Sequence, residues 1–205
     1  MSAKDTLSNL AGVMIIVAFI PYIWAICRDR NLPPGTPGKT EPCKASWLIW
    51  GILDTITLCG MLVKHTAGGL IIGAVTGVWI VFLVTLKYGK PGWSFLDKLC
   101  LGIVVMAISL WLIRGDPNWG IVISCGGLIV GAFPTFKSVW EDPSRENFLA
   151  WMLFWIAAAL GSAAIKKWTL EDATQPLTFL LIESITILIL LFGPNARILR
   201  KLTAA

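Results

Sequence analysis

Two carboxyl groups lie where the surrounding sequence makes a charge costly: Asp54 inside the apolar stretch 46–63 and Glu183 inside 176–193. No lysine or arginine sits at comparable depth, and ionisable residues within a spanning segment are functional candidates by default. Such a carboxyl can carry a proton for a coupled carrier, or hold a polar solute by hydrogen bonding. Thr55 and Thr57 stand beside Asp54 and offer it local partners, while Ser184 and Thr186 extend Glu183 into a polar stripe on an otherwise apolar segment. Trp79, with Thr76 one turn before it, sets a flat apolar face and one N–H near the middle of segment 69–87. That ring serves either to stack on a sugar or other planar ligand, or to fill a core. Trp50 reads as pocket wall or interfacial anchor. The candidate solute-binding set is therefore Asp54, Trp79, Glu183, Thr76, Ser184, Thr186 and Trp50, with Pro21 and Pro134 as candidate hinges.

Several chemistries lack their parts. The single histidine, His65, stands beside Lys64 at a segment end, so neither a histidine-rich metal site nor a histidine-based triad can be assembled in the membrane. The five cysteines (Cys27, Cys43, Cys59, Cys100, Cys125) are scattered and contain no C-x-x-C pair, so neither a disulfide framework nor a metal site is expected. Phosphate-loop and dinucleotide fingerprints are missing, as are a lysine midway along 176–193 that could hold retinal and a potassium-filter repeat. The expectation is a non-enzyme with no cofactor and no metal.

The elements that position these residues follow from composition. Of 205 residues, 56% are hydrophobic and only 14% charged, against about 45–50% and about 25% in soluble domains. Seven stretches approach the ~20 apolar residues needed to cross a bilayer: roughly 9–27, 46–63, 69–87, 97–113, 119–138, 147–165 and 176–193. The first lacks a small-residue cleavage site and reads as a retained helix. The loops on one side hold five basic residues (Lys4, Lys64, Arg114, Lys166, Lys167) and those on the other twelve, from Arg28 to Lys201. Positive charge collects on the cytoplasmic side, so the N-terminus is expected outside and the C-terminus in the cytoplasm. The net charge of +5 is thus loop charge set by topology, and no nucleic-acid partner is expected. Trp24, Trp47, Trp93, Trp111, Trp119, Trp140 and Trp168 fall near segment ends, as an interfacial belt would. Counted at ~1.5 Å per residue, Asp54 lies about 12 Å from one face and Glu183 about 11 Å from the other. Gly69, Gly73 and Gly77, and again Gly127 and Gly131, form small-residue faces for close helix packing.

The chain also repeats itself. The end of segment 1 carries Ala18-Phe19-Ile20-Pro21-Tyr22 and that of segment 5 Gly131-Ala132-Phe133-Pro134-Thr135, each proline followed by about two helical turns and so at matching depth. The next segments open on Ser46-Trp47-Leu48-Ile49-Trp50 and Ala150-Trp151-Met152-Leu153-Phe154, the first after a longer insert, Leu32-Pro33-Pro34-Gly35-Thr36-Pro37-Gly38. Segments 1–3 read as one copy and 5–7 as another, with segment 4 between them, which sets both copies in the same membrane orientation. A proline in the first helix of a three-helix unit, a basic loop and a Ser/Trp-rich next helix, repeated as 3+1+3, resembles the PQ-loop superfamily of SWEET-like (MtN3) transporters. The resemblance covers nearly the whole chain in topology and about 35 residues per copy in motif. It departs at the signature dipeptide, where this chain has Pro21-Tyr22 and Pro134-Thr135 in place of Pro-Gln. It implies an outside N-terminus, hinging at the two prolines, and either transport of a sugar or amino acid or, as in the KDEL receptors, binding without transport.

The resulting expectation is an all-α membrane protein with seven transmembrane helices, arranged as two parallel three-helix bundles joined by a linker helix. The first repeat spans 1–95, the linker 96–116, and the second repeat with a cytoplasmic tail 117–205. Its function would be alternating-access transport of a small polar solute, with proton coupling open. A non-transporting receptor of the same fold and a structural membrane subunit are the competing readings. The partners are the lipid bilayer and that solute, with a homo-oligomer left open.

Overall fold

The computed structural model describes residues 2–33, 36, 39–40, 42–89 and 93–194. The insert's Pro34, Gly35, Pro37 and Gly38, the loop residue Lys90 and the tail with Arg197, Arg200 and Lys201 lie outside the described residues. The described chain is all-helical: α1 (Ala3–Arg28), α2 (Lys44–Val63), α3 (Gly69–Tyr88), α4 (Phe95–Arg114), α5 (Asn118–Glu141), α6 (Phe148–Ala163) and α7 (Leu170–Phe192), with short 3₁₀ turns at Asp29–Asn31 and Pro143–Arg145. Six of these helices are long and apolar enough to cross a membrane, and the protein is accordingly an integral multi-pass membrane protein.

The seventh apolar stretch falls short of that length. α6 has 16 residues, about 24 Å at ~1.5 Å per residue against a hydrocarbon core of about 30 Å. Both of its ends are fixed. The Asn147 side chain accepts from the Ala150 amide at 3.0 Å, and Lys4 Nζ donates to the Ala163 and Ile165 carbonyls at 2.8 and 2.9 Å.

Two other helices begin earlier than hydropathy indicates. α1 starts at Ala3, where Ser2 and Asp5 form a reciprocal capping box that satisfies orphan amides. α7 starts at Leu170 and carries Pro176 in its interior, so Pro176 is not the entry point. The polar turns Leu170–Gln175 are held in place because the Asp172 carboxylate accepts the Lys166 and Lys167 amides. Six extra residues move Glu183 to about 20 Å from the face where α7 begins, by the ~1.5 Å rise. Counted from the helix ends on the opposite face, Asp54 and Glu183 then lie at nearly the same level, about 15 and about 14 Å in. The several-ångström offset in depth expected from the sequence disappears.

α3 packs on both α1 and α2, and α7 on both α5 and α6. Across the molecule α1 packs on α6 and α2 on α5, while α4 lies against α5 and α2. Small residues set the α1–α3 distance. A Cβ at Gly73 would stand 2.7 Å from the Gly12 carbonyl oxygen, and one at Gly77 would enter the Phe19 ring. α4 is tied to α2 at one end: Ser94 and Asp97 form a second capping box, and Ser46 Oγ donates to Asp97 Oδ1 at 2.8 Å.

Candidate functional site

The helices enclose a cavity of about 260 Å³. Its walls come from α1, α2, α3, α5, α6 and α7, and α4 contributes nothing. Pro42, Cys43, Ser46, Ser138 and Glu146 lie at the end of the cavity farther from the N-terminus, where the lining reaches the loops, and this end is termed its mouth. The innermost wall is Ile15, Asp54, Ala74, Leu128, Phe179 and Glu183. Beyond that level, toward the N-terminal face, the helices close on buried side chains such as Ala11, Met61, Ile71, Ile121 and Ala158.

Asp54 and Glu183 are 3% and 7% exposed, so both carboxyls are withdrawn from solvent. Asp54 Oδ1 and Glu183 Oε2 have no hydrogen-bond partner among the described residues, and the two groups are near enough to interact electrostatically. Among the described residues, no lysine, arginine or histidine lines the cavity. The neighbouring threonines leave Asp54 unpaired. Thr57 Oγ1 donates to the Leu53 carbonyl at 3.0 Å, and Thr55 Oγ1 donates to the Gly51 carbonyl while accepting from Trp79 Nε1 at 3.0 Å. Buried carboxyl oxygens without donors are destabilising, which marks the inner end of the cavity as the candidate site.

A chain of six aromatic rings forms much of the wall. Trp50 meets Trp47 edge-on at 5.4 Å, and Trp47 meets Tyr22 at 5.3 Å and Phe19 at 6.5 Å. Phe19 then meets Phe154 at 4.8 Å, and Phe154 meets Trp151 at 5.9 Å. These separations fall in the range where tilted and edge-to-face pairs are favourable. The rings therefore hold one another in fixed orientations around the space. Trp50 Nε1 is buried without a partner, packed over Gly131, where a Cβ would come within 2.5 Å of it.

Of the residues singled out in the sequence, the cavity gathers Asp54, Glu183, Trp50 and Pro134. Trp79 and Thr76 are elsewhere. Trp79 packs over Gly51 and bonds to Thr55, joining α3 to α2, and Thr76 is exposed with its hydroxyl donating to the Ile72 carbonyl. Ser184 accepts from Trp155 Nε1 at 3.0 Å, and Thr186 returns its hydroxyl to the Ile182 carbonyl, so both serve α7 and its packing. Pro21 lies within α1 outside the lining, and its carbonyl accepts from Asn147 Nδ2 at 3.4 Å.

The sequence reading missed several wall residues. Trp47 was assigned to the interfacial belt but is 7% exposed and lines the cavity. Its signal was available, because it aligns in the repeat with Trp151, which also lines the wall. Glu146 also lines the cavity. It is half-buried at the mouth, its Oε2 accepts from Trp151 Nε1 at 2.9 Å, and burial pushes its carboxyl up to about 7 against the opposing effect of that bond. Among the described residues no cluster of histidine, cysteine or carboxylate side chains could hold a metal ion.

No protein-family model matches the chain, and neither a curated protein nor a solved structure does.

Proposed function

We propose that the chain is a secondary carrier that moves a small polar solute across the bilayer by alternating access. The observation that carries this reading is a mid-depth cavity whose lining reaches the loops at one end only and whose inner end holds two carboxyls, each with an oxygen that no described residue pairs. In this reading α1–α3 and α5–α7 are two parallel bundles, each with its third helix between the other two, and α4 is the linker. The contact pattern supports it, since each half has the same internal order and the halves meet as α1 on α6 and α2 on α5. The sequence repeat supports it further. Aligning Pro21 with Pro134 pairs Ile15 with Leu128 and Tyr22 with Thr135, and aligning Trp47 with Trp151 pairs Trp50 with Phe154; apart from the two prolines these are eight residues, and all eight line one cavity.

Proline removes a helical hydrogen bond and weakens the helix at that point. Pro21 and Pro134 are the flexing points in this mechanism, and the excess of basic residues on the mouth side sets the open end toward the cytoplasm. The solute enters, reaches Asp54 and Glu183, and the bundles rock to open the N-terminal face, with a proton on either carboxyl available as a coupled ion. The test is counterflow in proteoliposomes with a panel of labelled sugars, amino acids and amines. At least one solute should exchange, and Pro21→Ala and Pro134→Ala should each slow it several-fold while inserting normally. Saturable binding with no exchange of any bound solute refutes the carrier and leaves a receptor of the same architecture.

A further inference from the structure

We infer that the cavity is built for a small protonated amine, whose N–H groups satisfy the Asp54 and Glu183 oxygens and whose carbon body lies against the six-ring wall. The inference deepens the carrier reading by naming the solute's class. Three features carry it. First, among the described residues the lining holds three carboxyl groups, Asp54, Glu183 and the mouth residue Glu146, and no basic side chain. An anion, or the carboxylate of an amino acid, would meet like charge with no cation to offset it.

Second, the unpartnered atoms at the inner end, Asp54 Oδ1 and Glu183 Oε2, are acceptors or, when one carries a proton, a single O–H. An ammonium group brings up to three donors and no acceptor, which complements that pair. A sugar brings donors and acceptors in equal measure, and the rest of the inner wall, Ile15, Ala74, Leu128 and Phe179, is apolar. Third, aromatic faces attract cations by their quadrupole, most strongly where water is excluded. The volume of about 260 Å³ corresponds to roughly nine waters at ~30 Å³ each, which is room for a small amine and its carbon skeleton.

The test uses the full chain in detergent with benzylammonium as probe. Benzyl alcohol and benzoate match its size without its charge, and tetraethylammonium carries the charge without N–H donors. Quenching of the wall tryptophans and thermal stabilisation report binding. Benzylammonium should bind saturably and at least tenfold more tightly than the other three, and Asp54→Asn and Glu183→Gln should each weaken it at least tenfold. Equal or tighter binding of the alcohol or benzoate, no saturable benzylammonium binding, or unchanged affinity in both variants overturns the inference. If the variants do not fold, the wild-type ligand series still decides, because it varies charge and donor count at similar size. Benzylammonium that binds without exchanging in proteoliposomes leaves this inference standing and removes the carrier. Exchange of glucose or a neutral amino acid without amine binding does the reverse.

Discussion

Replacing Glu146 by glutamine should change how stability depends on pH, and in a defined direction. The Glu146 carboxyl lies outside the helices at the cavity mouth, facing Tyr22 and Trp151, and burial raises it from the ordinary 4.5 to about 7. Its neighbour Arg145 is engaged with Glu141 and Asp142 and does not offset that burial. An acid raised in the folded state binds more protons folded than unfolded between those two values, so stability falls as pH rises across that window. Below about 4.5 the group is neutral in both states and imposes no penalty. Above about 7 the penalty is complete. The full displacement corresponds to about 3 kcal/mol at ~1.4 kcal/mol per pH unit, and a half-buried group at a mouth retains enough hydration to reduce this to about 1–2 kcal/mol. Glutamine keeps an oxygen to accept the Trp151 N–H and removes the titration. Thermal unfolding in detergent between pH 4.5 and 8 should give equal midpoints at the acid end. At the alkaline end the variant should be higher by about 2–8 °C, taking ~2–4 °C per kcal/mol for a chain of this size. All other ionisable groups are common to both proteins and cancel in the difference. Parallel pH profiles for the two proteins, or a wild type that gains on the variant with rising pH, would refute the reasoning.

Two further outcomes concern packing. Gly77→Ala should destabilise by about 1–3 kcal/mol because its Cβ would enter the Phe19 ring, whereas Gly102→Ala, with nothing within 4 Å of the new atom, should be neutral or slightly stabilising; matched denaturation midpoints for the pair would contradict the α1–α3 packing. Asp97→Ala removes a capping box and the Ser46 bond together and should cost about 2–3 kcal/mol. Equilibrium unfolding checks the size of the loss, and a change under about 0.5 kcal/mol, the level of ordinary surface substitutions, would show the junction of α2 and α4 to be dispensable.

The helices were legible because apolar length is a strong signal, but hydropathy marks the apolar part of a helix and not its ends. Ser2 and Asp5 begin α1, and the polar turns before Pro176 begin α7, so both starts lay outside what an apolar count can see. The level of Glu183 depended on that start, and its alignment with Asp54 was therefore hidden. The acids themselves were visible as charges in apolar sequence. Their setting was not, because a wall is assembled from many helices. Trp47 resembles a belt residue by position along its helix, and the packing of Phe19 and Tyr22 of α1 against it makes it interior. Conversely Trp79 looked interior and central, yet the narrow Gly51 surface of α2 takes it up as a packing contact.

Residues 2–5 have a practical consequence for anyone handling this protein. The capping box, the Lys4 contacts to the Ala163 and Ile165 carbonyls and the Asp5–Lys166 ion pair all depend on these few residues. Together they buckle the leading end of the first helix to the trailing end of the sixth. Trimming them, or crowding them with a bulky fusion, would unfasten two distant parts of the chain at once. Purification handles placed there are therefore poor reporters of native behaviour.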